Sequence, residues 1–400
     1  MKTPLVFATG AAAVGLVALP ILAQNPASGP VARYDIRAGT VSGMGAMAAG
    51  GMGSMMSTIF GGGGNKQQHE LYLRLGSSRA PTGSPNADHF MPSGAKLGKS
   101  VKLSTPTEER EPRDEIPMQR SGERPTGRIL IYWGCGEHAP KGQPVVIDLA
   151  RLSAGQVPPG LWSSTVVRDW GPTPRNSKTF GRWPAEDNKY VKPDSSLLGA
   201  HRVAGNYSPE IAFTLTKDFM PALATRLAVM PSGAAQLSWN ALPEATGYIA
   251  SLFGGKRGPG ETMGDMVMWS SSASKQFGGG LSDWLSPAQV AGLVRDRVAL
   301  APSVTTCTIP AEVRRDAPDF RFGMLTGFGP EEDFSYPPRP ADLKVAWHLE
   351  WTARIRHRSY TSWIDMPGME AMTGEQPGKP ECKRKGGLGG ILGGVLKPGC

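Results

Sequence analysis

The sequence predicts an all-β protein: two tandem antiparallel β-sandwich domains with one short helix, a flexible Gly/Met-rich N-terminal arm and a Gly-rich C-terminal tail. Three observations carry this expectation. Short β-branched and aromatic runs, among them RILIYW (128–133), QPVVIDL (143–149), STVVRDW (164–170) and PEIAFTL (209–215), are separated by turn residues with no long helix between them. In QLSWNALPEATGYIASLF (236–253), Leu237 and Trp239 alternate with Ser238 and Asn240, and a Pro/Gly turn leads into a second β-rich run. Glycine (52) and proline (36) are abundant among the 400 residues, which favours turns over helices.

Taken in order, residues 1–23 place Lys2 before an uncharged run that ends at Ala23, the layout of a secretory signal peptide cut near Ala23. The bulky Ile21 keeps an uncleaved N-terminal anchor open as an alternative. Residues 24–65 read as a low-complexity arm, uncharged from 38 to 65 and rich in glycine and methionine. Residues 66–126 hold one strand, HELYLRL (69–75), with Leu71, Leu73 and Leu75 on one face. A charged Pro/Gly-rich linker follows, including EEREPRDE (108–115). The first sandwich is expected over 127–226, with 172–190 as a long surface loop.

The second sandwich is expected over 227–365. Its strands include MVMWSSS (266–272), SVTTCTI (303–309), FRFGMLTGF (320–328) and a long run from 344 to 364 that holds two strands or one bent strand. Its helix begins at Ser286 and Pro287, residues suited to the cap and first helical position, with Gln289 placed to complete a capping box. Residues 366–400 are a Met- and Gly-rich tail whose apolar run, GGLGGILGGVL, is too short to cross a bilayer.

A tryptophan on one strand, Trp239, and the Gly247-Tyr248 pair that opens the next resemble the strand B to strand C passage of fibronectin type III-like and immunoglobulin-like sandwiches. The resemblance implies a sandwich for that region and assigns no activity, because such folds host unrelated functions.

The net charge of +9 and pI near 9.4 invite comparison with nucleic-acid binders. The basic residues are mixed with acids and the leader points outside the cytoplasm, so no nucleic-acid partner is expected. Four cysteines in an exported chain suggest two disulfides, Cys135 with Cys307 and Cys382 with Cys400. The alternative is that Cys135 is a reactive thiol beside Glu137 and His138. Spacing of M-x-x-M type at Met44, Met47, Met52 and Met55, and again at Met366, Met369 and Met372, supplies soft thioether ligands suited to Cu(I). No other cofactor is expected.

Arg354, Arg356 and Arg358 alternate, so one strand face would present three guanidinium groups to an anion such as a lipid headgroup or acidic glycan. The ten tryptophans, Trp133, Trp162, Trp170, Trp183, Trp269 and Trp284 among them, fit a core role better than sugar stacking. Glu331 and Glu332 read as an exposed turn, and no hydrolase, zinc or nucleotide motif accompanies them. The function expected is non-catalytic: an exported envelope or extracellular structural protein that partners itself or another envelope component. A periplasmic copper-binding protein and a glycan-binding or glycan-cleaving module are the alternatives.

Overall fold

The computed structural model describes residues 29–49, 67–106, 127–157, 162–163, 165, 167, 171–185, 190–258, 263–277, 281, 284–342 and 344–367. The signal peptide expected at 1–23 and nearly all of the tail expected at 366–400 lie outside these residues. So does most of the strand expected at 164–170.

The chain is all-β. The strands are β1 (Ala32–Gly43), β2 (Gln68–Ser77), β3 (Ala87–Phe90), β4 (Ser100–Lys102), β5 (Arg128–Trp133) and β6 (Val145–Asp148). They continue with β7 (Thr179–Trp183), β8 (Tyr190–Val191), β9 (Gly199–Gly205), β10 (Ile211–Leu215), β11 (Thr225–Val229) and β12 (Ala235–Trp239). The last five are β13 (Gly247–Arg257), β14 (Met263–Ser270), β15 (Thr306–Ile309), β16 (Phe320–Tyr336) and β17 (Trp351–Asp365).

Ten strands form one sheet in the order β6-β5-β14-β13-β16-β17-β1-β2-β7, with β8 also beside β2. Two smaller sheets have the orders β10-β9-β3-β4 and β11-β12-β15. The large sheet is mixed where an antiparallel one was expected, because β1 runs parallel to β17 and β5 parallel to β14. It also draws strands from both sides of the boundary expected at 226/227, so that position is not a break in the sheet.

Both small sheets face the same side of the large one, and alternation explains why. Tyr34, Ile36 and Ala38 of β1, Leu71, Leu73 and Leu75 of β2, and Ala353 and Ile355 of β17 point to that side and pack with Val203, Ile211 and Phe213 of the four-stranded sheet. Tyr248, Ala250 and Leu252 of β13, Val267 and Trp269 of β14, and Leu325 of β16 pack with Leu237, Trp239 and Ile309 of the three-stranded sheet. Trp239 and Tyr248, the pair that carries the fibronectin-like resemblance, have ring centroids 5.6 Å apart. Between the small sheets runs the segment 216–224, held to β1 where Thr40 donates to the Met220 carbonyl (2.6 Å) and Ser42 to that of Leu223 (2.5 Å).

Several segments differ from expectation. Ala32–Gly43, read as part of a flexible arm, is an interior strand buried on both faces. From Ala38 onward its small uncharged residues, covered on both faces, show no clean alternation and mimic low complexity. β3 and β4 lie inside the expected linker and β7 inside the expected surface loop; each is short and bounded by Pro or Gly, which hides it from pattern reading. The Ser286 helix spans Pro287–Arg295, and its capping box forms as expected: Ser286 Oγ accepts from Gln289 N (3.2 Å) and Gln289 Oε1 from Ser286 N (2.8 Å). Three further short helices, Met44–Ala49, Leu149–Ser153 and Ala311–Asp316, were not expected. No helix among the described residues is long and apolar enough to cross a membrane.

Candidate functional site

The face of the large sheet turned away from the two small sheets carries the charges. Register decides which residues meet there: the parallel pairing sets Asp35 beside Arg354, Arg37 beside Arg356 and Gly39 beside Arg358. On the other side of β17, Asp333 pairs with Arg354 and Glu331 with Arg356. Tyr72 and Glu70 of β2 lie opposite Arg37 and Gly39.

Asp35 is the hub. Its carboxylate accepts from Arg356 Nη2 at 2.8 and 3.0 Å, from Arg37 Nε at 2.9 Å and from Arg354 at 3.4 Å. Asp35 is 2% exposed and the Arg356 side chain 3%. Three cations around one buried anion satisfy the rule that buried charge needs partners, and the geometry is fixed by strands on both sides. Next along β17, Arg358 donates to Glu70 Oε1 (3.0 Å) and stacks over the Trp284 ring, 4.0 Å from its centroid. Arg356 Nη1 donates to the Trp284 carbonyl. Gly39 makes room for this: a Cβ there would come within 2.6 Å of Glu70 Cγ and 2.7 Å of the Trp284 ring.

The three arginines singled out from the sequence are therefore brought to one face, where carboxylates of the same chain are their partners. Arg354 is the most accessible and also lies 3.7 Å from Glu331 Oε2. Glu331 is not in an exposed turn as expected. It stands within β16, after a bulge that follows Phe328, and its Oε2 is buried without a hydrogen-bond partner. Burial, reinforced by Asp333, pushes its carboxyl up to about 7. Glu332 points elsewhere and ties down the 216–217 backbone, accepting from Thr216 N and Oγ1 and from Lys217 N. Chemically, the cluster offers compensated cations and one carboxyl that exchanges its proton near neutrality.

A second polar feature lies on the core side. The Leu197 carbonyl can only accept, so His201 Nε2 (2.7 Å away) carries a proton. His201 Nδ1 then accepts from His89 Nε2 (3.0 Å), and His89 Nδ1 accepts from the Tyr34 hydroxyl (2.7 Å). One direction of hydrogen bonding follows, with both imidazoles neutral. Burial lowers both histidine pKa values, that of His89 well below the usual range, and raises that of Tyr34.

Cys135 is bonded to Cys307, the pairing expected, which ties the end of β5 to β15 and leaves no free Cys135 thiol. Cys382 and Cys400 lie outside the described residues. Among the methionines, Met44 and Met47 belong to the helix Met44–Ala49 and Met366 follows β17 directly; Met52, Met55, Met369 and Met372 lie outside. Trp183, Trp269 and Trp284 are buried and Trp133 half-buried, whereas Trp162 is 61% exposed and stacks on Phe277 at 5.2 Å; Trp170 lies outside.

Sequence reasoning missed Asp35, Glu70 and the histidine relay. The signal for the first was ARYDIR, whose strict alternation puts Asp35 and Arg37 opposite Tyr34 and Ile36. Comparison with protein families, with characterised proteins and with solved structures yields no match to this chain.

Proposed function

We infer that this chain is a non-catalytic exported envelope or extracellular structural protein that assembles with itself or with another envelope component. Its two small sheets, each facing part of the large one, are read as two β-sandwich units sharing a common wall. One observation carries the assembly reading. The charged groups of the outer sheet face are compensated within the chain, while an apolar stretch of the same face, around Phe253 and Phe322, stays open. Export is supported by the leader-like residues 1–23 and by the Cys135–Cys307 disulfide, a bond suited to oxidising compartments.

Native mass spectrometry of the full chain, isolated from the envelope without chelators, tests this. The expected result is a metal-free oligomer that dissociates when residues 366–400 are deleted. A bare monomer at every concentration would overturn it.

Cu(I) binding is a second reading, favoured by the parallel register of β1 and β17. Gly43 pairs with Ser362, so the two methionine-bearing segments that follow Gly43 and Asp365 leave the sheet at the same end. The same spectrum would show the copper adduct. A glycan-binding or glycan-cleaving role is favoured by the Glu331 carboxyl near 7 beside Asp333, and by exposed Trp162. Hydrolysis of acidic polysaccharide, lost on Glu331→Gln, would support it.

A further inference from the structure

The outer face of the large sheet is covered in three places among the described residues. The helix Pro287–Arg295 and Leu285 cover Ile249 and Phe328. Phe277, Leu149 and Leu152 cover Ile129, Ile131 and Ile147. Trp284 covers the charged end. Between them the register lines up an apolar row across four strands: Ile364 pairs with Phe322, Phe322 with Phe253, and Phe253 with Met268. Met324, Phe320 and Met266 flank it on the same face. Phe253 is 37% and Phe322 36% exposed. A face of aromatic rings and unbranched thioethers adapts to a bound segment better than one of β-branched residues.

We propose that residues 386–396 of the same chain, GGLGGILGGVL, dock on this Phe/Met row. Three arguments select that occupant. β17 ends at Asp365, one residue beyond Ile364, so the tail departs from the edge of the row itself. Its composition fits: Leu388, Ile391, Leu392, Val395 and Leu396 supply apolar contacts, and the glycine pairs between them let a backbone approach flat rings closely. Tethering then decides between the chain's own tail and a second copy. The intervening 366–385 stretch is twenty residues, at most roughly 70 Å when fully extended, so 386–396 stays within reach of the row. Such a tether holds the tail at an effective concentration on the order of millimolar. Against micromolar free protein, the chain's own tail is favoured on the order of a thousandfold. This deepens the assembly reading and rests on it in one respect: the contact closed within one chain in dilute solution is the one that neighbouring copies would exchange when concentrated.

The test is photo-crosslinking of the full chain with Phe322→p-benzoylphenylalanine, and separately Phe253→p-benzoylphenylalanine as a guard against a folding defect at either position. Light and nitrogen-15-labelled protein are mixed at about 1 µM, a concentration chosen well below the effective one. The expected product joins position 322 or 253 to a peptide within 386–396, always between chains of the same isotope. Leu388→Asp with Leu392→Asp should cut its yield at least tenfold. Same-isotope links to residues 50–65, or no protein crosslink from either position, would overturn the proposal. Mixed-isotope links would also overturn it, while leaving the assembly reading standing.

Discussion

The two ends of the outer sheet face solve opposite problems with the same backbone. Around β1, β2 and β17 the sheet buries four charged side chains, Asp35, Arg37, Glu70 and Arg356, with Arg358 half-buried against Trp284. Around β13 and β16 it leaves Phe253 and Phe322 partly open to water. Charge can be buried only where partners arrive at fixed register, and the parallel β1–β17 pairing supplies that by setting Asp35, the one acid of β1, against Arg354 and within hydrogen-bond reach of Arg356. Apolar groups need no fixed partner and can wait for a loosely specified one. The polar end is therefore built for definition, and the apolar end for contact.

Asp35→Ala should be the most damaging change, costing about 3–5 kcal/mol, because it removes the carboxylate shared by three guanidinium groups in a buried site. Denaturant titration measures it, and a cost under about 1 kcal/mol would mean that the polar end is no more exacting than an exposed surface. Gly39→Ala should cost about 1–3 kcal/mol by forcing Glu70 and Trp284 apart. The same variant should perturb tryptophan fluorescence, which a change at the apolar end far from Trp284 would leave alone.

Acidification should destabilise the protein through its buried histidines. His69, His89, His201 and His357 all have pKa values lowered by burial. The unfolded chain then takes up protons first, near the ordinary value of about 6.5, so this stability is present above that pH and lost as pH falls below it. His89, lowered furthest, should contribute a slope of about 1.4 kcal/mol per pH unit, measurable as a falling denaturation midpoint between pH 7 and 5.5. A flat profile would mean that the Tyr34–His89–His201 line opens to solvent. At the apolar end, Phe322→Ser should change stability by under about 1 kcal/mol. A larger loss would show that whatever covers the row packs against it as closely as a core.

Much of the fold was legible where one face is buried and the other is not. HELYLRL, RILIYW and LSWNALPEATGY reveal strands because alternation or a turn marks them, and the Ser286 helix because both halves of its capping box are local. The site was half legible. Alternation put Arg354, Arg356 and Arg358 on one face, but their counter-ions come from Asp35 and Glu70, roughly three hundred residues earlier, and no local pattern encodes a parallel pairing at that distance. The uncharged run after Arg37 reads as a loose arm for the same reason: AGTVSG is what an interior strand looks like when Glu70, Trp284 and the 216–224 segment press on it from both sides.

The pairing of β1 with β17 also orders events in time. Asp35 and Arg354 are 319 residues apart, and every hydrogen bond between these strands spans a comparable loop. Such contacts form late, because the entropy of closing so long a loop is lost before any contact repays it. While the chain emerges from its N-terminus, β1 can find β2 early and must then wait for the final strand. Until residue 365 is available, the middle of the large sheet carries an unfilled edge and an acid with only Arg37 of its three arginines. The first strand made is thus sealed by the last.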